Sequence, residues 1–135
     1  MKRLEFLYDQ YADGTLCKTK GIGAYWALFT NVLDTIQLNR MVKELDNPET
    51  FNRKFRVPSL SADHPKYKEN GRYWQGGIWP GTNYMVIQGL VKKGYRKLAR
   101  EIALNHYNEV LEVYKNTGTI LGILFSGEGR AWIYG

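Results

Sequence analysis

Cysteine and histidine are scarce in this chain, and their scarcity excludes several kinds of site. The single cysteine, Cys17, has no partner within the chain for a disulfide. The two histidines, His64 and His106, are far apart in sequence and show no ligand spacing with other metal-binding residues. We therefore expect neither a metal nor a cofactor.

Long apolar runs are also absent. No stretch approaches the roughly 20 apolar residues that a membrane helix needs, so we expect no membrane partner. The first ten residues, MKRLEFLYDQ, lack the apolar run of a signal peptide, which favours a cytoplasmic location for this chain.

Charge and composition describe one small, basic, aromatic-rich domain. The chain has 135 residues, of which 44% are hydrophobic, so it can bury a core. Its net charge of +6 makes a nucleic-acid surface conceivable, but the basic residues are scattered and no known binding motif accompanies them. A solvated basic face is the better interpretation, and we expect no nucleic-acid partner.

Helical patterns dominate the first half of the sequence. Ala24–Leu33 is apolar almost all round and predicts a buried helix. A capping box at Asp34 and Gln37 predicts a second helix that ends at Asn47–Pro48 and carries an apolar stripe of Leu38, Met41, Val42 and Leu45. The next segment, Arg56–Gly81, has three prolines and no helical period, so we predict a long irregular connection that lines a pocket.

Two further helices are predicted to form an antiparallel hairpin. The first runs from Thr82 to about Lys93, is apolar on most sides and should be buried, and Gly94 supplies its left-handed stop. The second runs from about Tyr95 to Lys115 and should bury a stripe of Ala99, Ala103, Tyr107, Val110 and Tyr114. We expect Glu109 and Glu112 to face solvent. No strand signal competes with these helices, so the predicted fold class is all-α.

The segment Gly71–Leu90, GRYWQGGIWPGTNYMVIQGL, is the most informative part of the sequence. Aromatic faces stack on sugar rings, amides bind hydroxyls, and glycines let a ligand approach the backbone. We therefore predict a sugar site, although one tryptophan could instead pack in the core and Asn83 could instead hold the start of the helix. The candidate substrate-binding residues are Tyr73, Trp74, Gln75, Gly76, Trp79 and Asn83.

These motifs carry a family resemblance. The run VPSLSADHPKY, followed by GRYWQGGIWPGTNYMVIQGLVKKGY, EIALNHY and TGTI, resembles the C-terminal part of the trehalase-like glycoside hydrolases. That clan includes trehalase, processing α-glucosidase I and the bacterial mannosylglycerate hydrolases. The resemblance extends from about Lys18 to Ile120 and is most specific at Tyr73–Asn83. The chain departs from the family's pattern at Gln75, where arginine is common.

The resemblance implies both a fold and a reaction. The implied fold is a partial (α/α)6 toroid, of the six-hairpin-glycosidase kind, in which helix pairs are joined by long pocket-lining loops. The implied reaction is hydrolysis of a glycosidic bond with inversion, which needs an acid and a base carboxylate about 6.5–9.5 Å apart. In the family the acid is an Asp upstream of the matched region, and the base is a Glu in a phrase like TGTIWENYAPE. No catalytic residue is therefore assigned within this chain.

The match stops abruptly at Ile120. We predict that residues 1–120 are the C-terminal part of a catalytic domain and that residues 121–135, LGILFSGEGRAWIYG, are an atypical tail. Codons for this tail can be chosen so that a one-base shift restores Trp-Glu, which leads to the hypothesis of a shifted reading frame after Ile120. The nucleotide sequence tests that hypothesis. Glu128 lies between two glycines that do nothing to hold it, so we do not expect it to replace the base.

The sequence thus predicts the C-terminal portion of an inverting glycoside hydrolase that acts on α-linked di- or oligosaccharides. The isolated chain should be inactive, and its expected partners are a carbohydrate in the parent enzyme and the missing N-terminal part of the same barrel. Two alternatives remain open: a non-catalytic carbohydrate-binding or regulatory module, and a basic helical nucleic-acid-binding protein. Uncovered apolar faces, for example around Tyr84–Leu90, should promote self-association.

Overall fold

Helices make up most of the regular structure in the computed structural model, which describes residues 6–124. In chain order the elements are strands β1 (Asp9–Gln10) and β2 (Leu16–Cys17), a first 3-10 helix (Ile22–Phe29), helix α1 (Thr35–Asp46), a second, one-turn 3-10 helix (Tyr73–Gln75), and helices α2 (Pro80–Lys92) and α3 (Arg96–Thr117). The predicted mainly helical class is confirmed.

The two strands form a small antiparallel hairpin that the sequence pattern did not indicate. Asp9 pairs with Cys17, and Gln10 pairs with Leu16. In the turn between them, a side-chain oxygen of Asp13 accepts a hydrogen bond of 2.9 Å from the amide nitrogen of Thr15. Strands of two residues are too short to show the alternation of apolar and polar residues by which strands are recognised.

Helix α1 begins and ends as predicted. The side chain of Asp34 accepts from the amide nitrogen of Gln37 at 2.8 Å, and the side chain of Gln37 accepts in return from the amide nitrogen of Asp34 at 3.1 Å. This reciprocal pair satisfies two of the amide groups that a helix start leaves unbonded. The predicted stripe faces the core, with Met41, Val42 and Leu45 buried.

Helices α2 and α3 form the predicted antiparallel hairpin. Helix α2 begins at Pro80, two residues before the predicted start, because proline suits the first turn, where its missing N–H is not needed. Gly94 lies in the left-handed region with φ of 88°, and α3 starts two residues later. Gly118 closes α3 in the same conformation, with φ of 72°.

The buried face of α3 differs from the predicted one. Ala99, Ile102 and Glu109 are buried, whereas Tyr107 and Tyr114 are exposed. Helix α3 carries apolar residues on two faces, and periodicity alone does not show which of them packs against α2. The predicted stripe followed the wrong face over its second half, and the prediction that Glu109 faces solvent was also wrong.

The first 3-10 helix replaces the buried α-helix predicted over Ala24–Leu33. Its inward side chains are Ile22, Tyr25 and Leu28. They are spaced three residues apart because a 3-10 helix has three residues per turn. Trp26 points outward and is 57% exposed. The helix packs against α2 and completes the core of the domain.

The long connection before α2 is not a surface loop throughout. Residues 56–61 are all buried, and they link α1 to the hairpin of α2 and α3. The Arg56 guanidinium donates to the carbonyl of Leu45 at 3.0 Å, near the end of α1. The amide nitrogen of Arg56 donates to the side chain of Asn105 at 2.8 Å, and its carbonyl accepts from Asn83 at 3.1 Å. This buried segment therefore fixes the long connection in the core.

Candidate functional site

Three aromatic side chains meet where the long connection enters α2. The ring centroids of Tyr73 and Trp74 are 5.9 Å apart, and those of Tyr73 and Trp79 are 5.2 Å apart, both edge to face. Trp74 and Trp79 are stacked, with centroids 4.4 Å apart and an angle of 15° between the rings. We call these three residues the aromatic wall.

The members of the aromatic wall differ in what they offer a ligand. Tyr73 is 60% exposed and Trp74 is 47% exposed, whereas Trp79 is half-buried and its indole nitrogen is shielded from solvent. Because Trp79 stacks against one face of Trp74, the opposite face of Trp74 is the one that a flat apolar ring surface can meet. Trp79 supports that platform from beneath.

Close backbone packing builds the turn that carries the wall. Tyr73 has φ of 51°, an uncommon conformation for a residue with a side chain, and Gly76 has φ of 134°. A Cβ atom at Gly77 would lie 2.4 Å from the carbonyl oxygen of Tyr73 and 2.9 Å from that of Gly71. Only glycine fits at position 77, so its role here is to let the turn close.

The two candidate amides occupy different environments. Gln75 is half-buried in the second 3-10 helix, where its carbonyl accepts from the amide nitrogen of Lys68 at 2.7 Å. Asn83 is completely buried in the first turn of α2, and its side-chain nitrogen donates to the carbonyl of Arg56. This bond fixes the orientation of the amide and leaves its oxygen without a partner within residues 6–124. Asn83 thus holds the buried segment in place, and none of its surface is exposed to a ligand in this structure.

A largely buried polar cluster joins α2 to α3. Nδ1 of His106 is 3.4 Å from the side-chain nitrogen of Asn83 and 3.7 Å from a carboxylate oxygen of Glu109. Neither carboxylate oxygen of Glu109 has a hydrogen-bond partner within the described part of the chain. Burial raises the pKa of the Glu109 carboxyl, because removal from water disfavours its charged form, and nearby His106 opposes the shift.

Sequence reasoning missed this cluster, although a signal for it exists. Glu109 follows the buried residues Ala99 and Ile102 at helical spacings of ten and seven residues, which place all three on one face of α3. A stripe drawn through those two residues would have included Glu109.

Several basic residues are held in internal ion pairs. Lys20 lies 2.9 Å from Asp63 and 3.3 Å from Glu44, and Arg56 lies 3.0 Å from Asp46. Arg53 lies 3.5 Å from Glu69. These cations are partly neutralised, so they contribute little to a positive surface.

Metal-binding clusters and membrane-spanning helices are both absent from residues 6–124. No group of three or more His, Cys, Asp or Glu side chains in that range could hold a metal ion. No helix in the same range is both long enough and apolar enough to cross a membrane.

Comparison with known proteins identifies the family. Residues 2–118 match the model of the mannosylglycerate hydrolase MGH1-like glycoside hydrolase domain. The chain belongs to this family. This agrees with the resemblance carried by the aromatic segment.

Curated MGH1-like relatives match parts of the chain. Mannosylglycerate hydrolase MGH1 from Selaginella moellendorffii is 37% identical over 62 residues, which are 46% of this chain and 12% of that protein. A mannosylglycerate hydrolase from Thermus thermophilus is 31% identical over 84 residues, which are 58% of this chain and 19% of that protein. Each match therefore covers less than a fifth of the length of that relative.

Solved structures extend the MGH1-like relationship to the fold. A GH63 mannosylglycerate hydrolase from Thermus thermophilus, in complex with glucose, superposes with a TM-score of 0.74 at 18% identity. The match covers 94% of this chain and 29% of that protein. The GH63 mannosylglycerate hydrolase in complex with Tris and D-glycerate gives a TM-score of 0.72 at 20% identity. The predicted partial (α/α)6 toroid is confirmed.

The predicted tail begins inside the folded domain. Ile78 and Leu124 form an antiparallel bridge, with reciprocal backbone hydrogen bonds of 2.9 and 2.8 Å, and Leu124 is buried. The family phrase TGTIWENYAPE places its Glu at position 122, where this chain has an exposed glycine with no atom within 4 Å of an added Cβ. The proposed frame shift concerns residues that lie largely outside the described range, as does Glu128.

Proposed function

We propose that this chain supplies one wall of the sugar site in an inverting glycoside hydrolase acting on α-linked di- or oligosaccharides. The observation that carries the proposal is the aromatic wall, in which Tyr73 and Trp74 are both exposed and Trp74 stacks on Trp79. An aromatic platform of this kind binds the apolar face of a sugar ring. Family membership supports glycoside hydrolysis as the chemistry of the parent enzyme.

We further propose that the isolated chain binds sugar without hydrolysing it. Inversion needs one carboxylic acid to protonate the leaving oxygen and a second carboxylate to activate water on the opposite face of the sugar. The resemblance assigns the acid to an upstream segment and the base to position 122, which is Gly122 here. The binding groups and the reacting groups of the parent site would then lie in different segments.

The rest of the barrel is the partner that fits this proposal. The structural relatives are more than three times as long as this chain, since the chain covers 29% of the glucose-bound enzyme. Exposed Tyr84 on α2 and Tyr107 on α3 lie on helix faces that further helix pairs would cover.

A non-catalytic carbohydrate-binding module is the second candidate, because the same aromatic wall supports it. It differs from the first in needing no further chain segment. The nucleic-acid alternative is weaker, since Lys20, Arg53 and Arg56 are engaged by carboxylates of the same chain.

Titration calorimetry with trehalose, mannosylglycerate and glucose oligomers tests the sugar site. We expect Trp74→Ala to weaken binding about tenfold, or about 1.4 kcal/mol, because the stacking platform is lost. Trp26→Ala is the matched control, since Trp26 is comparably exposed but lies on the first 3-10 helix. Equal affinity in both variants would rule out the aromatic wall as the sugar site.

Mixtures of the chain with these same sugars should contain no product of hydrolysis. Turnover above a blank that disappears when one of the chain's own carboxylates is mutated would contradict the proposed inactivity. A salt-dependent gel shift would instead favour the nucleic-acid alternative.

A further inference from the structure

Every polar atom of Ser59 is hydrogen-bonded, and three of its four bonds join the buried segment to the turn that carries the aromatic wall. The residue is only 5% exposed. Its amide nitrogen donates to the carbonyl of Gly77 at 3.0 Å, and its own carbonyl accepts from the amide nitrogen of Ile22 at 3.0 Å. Its hydroxyl donates to the carbonyl of Tyr73 at 3.4 Å and accepts from the amide nitrogen of Gly76 at 3.2 Å.

The hydroxyl of Ser59 therefore spans the turn that presents Trp74. Tyr73 and Gly76 lie on either side of Trp74 and Gln75, and both have positive φ. Such a conformation persists where its surroundings hold it in place. A single hydroxyl that accepts from one end of the turn and donates to the other supplies that restraint.

The segment that carries Ser59 is itself rigidly held. Val57, two residues earlier, is completely buried with φ of 60°, which is rare for a β-branched residue. Its amide nitrogen donates to the carbonyl of Phe51 at 2.9 Å, and Pro58 restricts the backbone between Val57 and Ser59. The hydroxyl of Ser59 is thus presented from a fixed support.

We propose that Ser59 is a positioning residue for the aromatic wall. Its hydroxyl holds the turn from Tyr73 to Gly76 in the conformation that presents Tyr73 and Trp74 to a sugar ring. This inference rests on the proposed function for the identity of the ligand. The geometry of the wall can be tested without any ligand.

Ser61 offers a matched control. It is also completely buried, and it lies two residues further along the same segment. Its hydroxyl donates to a carboxylate oxygen of Asp63 at 2.5 Å, away from the turn. If buried serine hydroxyls only stabilise the fold, Ser59→Ala and Ser61→Ala should have similar effects on the indole signals of Trp74 and Trp79 and on sugar affinity.

The test compares both variants as full chains by NMR and calorimetry. The indole N–H signals of the four tryptophans can be assigned with Trp74→Phe and Trp79→Phe. We expect Ser59→Ala to shift the Trp74 and Trp79 signals and to weaken sugar binding at least fivefold. Ser61→Ala should leave the two signals and the affinity at their original values, whatever its effect on the melting temperature.

The possible outcomes separate this inference from the proposed function. If the unmodified chain binds no sugar, the proposed function fails, while the indole signals still decide the role of Ser59. Unchanged indole signals in Ser59→Ala would overturn the inference. Should that variant not fold, Ser59→Cys keeps the shape of the side chain with a somewhat larger atom and weakens the hydrogen bonds, and unchanged signals there would overturn the inference equally.

Discussion

At the scale of single residues, Glu109 is the least expected feature of this domain. The residue is 2% exposed, and Nδ1 of His106 lies 3.7 Å from its carboxylate, beyond hydrogen-bond distance. A carboxylate removed from water without such bonds is costly, so its neutral form is favoured. We therefore expect the protonation state of Glu109 to affect the stability of the folded chain.

The sign of this effect follows from the pKa of Glu109, which is raised in the folded chain. The folded protein then binds the proton more tightly than the unfolded chain. The stability that the folded protein gains from this proton on Glu109 is fully present below the unfolded pKa of glutamate, about 4.3. It is lost as pH rises through the raised pKa of Glu109 in the folded protein.

We therefore predict that Glu109→Gln is more stable than the unmodified chain at pH 7. The advantage should shrink as pH falls toward about 4, where the unmodified carboxyl is itself neutral. Urea unfolding at several pH values measures the difference. Glu112→Gln is the control, since Glu112 is exposed on the same helix. A Glu109→Gln variant that loses stability most at pH 7 would contradict the prediction.

At the scale of elements, the contact between α2 and the first 3-10 helix depends on a glycine inside α2. A Cβ atom at Gly89 would lie 2.7 Å from Cβ of Leu28 and 2.9 Å from its Cδ1. Glycine is otherwise unfavourable within a helix. Its presence here is explained by the close approach of the two helices.

We predict that Gly89→Ala destabilises the domain by about 1–3 kcal/mol, because the overpacking outweighs the gain in helix propensity of about 1 kcal/mol. Gly81→Ala lies in the same helix with no atom within 4 Å of its new Cβ, so it should be neutral or slightly stabilising. Chemical denaturation of both variants measures the contrast. If the Gly89→Ala and Gly81→Ala variants were equally stable, α2 and the first 3-10 helix would have to move apart at little cost.

Local signals predicted some elements well and missed others. The capping box of Asp34 and the left-handed Gly94 act through neighbouring residues, so the bounds of α1 and the hairpin turn were predicted closely. The first 3-10 helix was predicted as a longer α-helix because an all-apolar run shows no period. The buried face of α3 depends on its packing against α2, which a single helix does not reveal.

At the scale of the whole molecule, α3 leaves an apolar groove open. Tyr107, Val110, Leu111, Tyr114 and Ile120 line a groove of about 220 Å³, and Tyr107 is 62% exposed. Its lining side chains are apolar, so burying them against another surface would be favourable. The groove is consistent with a chain that covers less than a third of its structural relatives.

We predict that this groove drives self-association of the chain in solution. Tyr107→Lys should lower the association constant, because a charge there opposes burial of the groove. Asn108→Lys adds the same charge at an adjacent exposed position outside the groove and should change association little. Sedimentation velocity over a range of concentrations measures both. Equal association in the two variants would place the contact elsewhere.

The sequence by itself determined the class of the fold, the ends of α1, the α2–α3 hairpin and the family, because helix caps, turns and motifs are local patterns. It also located the aromatic residues proposed to bind sugar. The tertiary structure decided which face of α3 is buried, how Trp79 supports Trp74, and that Ser59 and Glu109 occupy the interior. These features arise from contacts between residues distant in sequence, where packing and loss of water act and no local pattern records them.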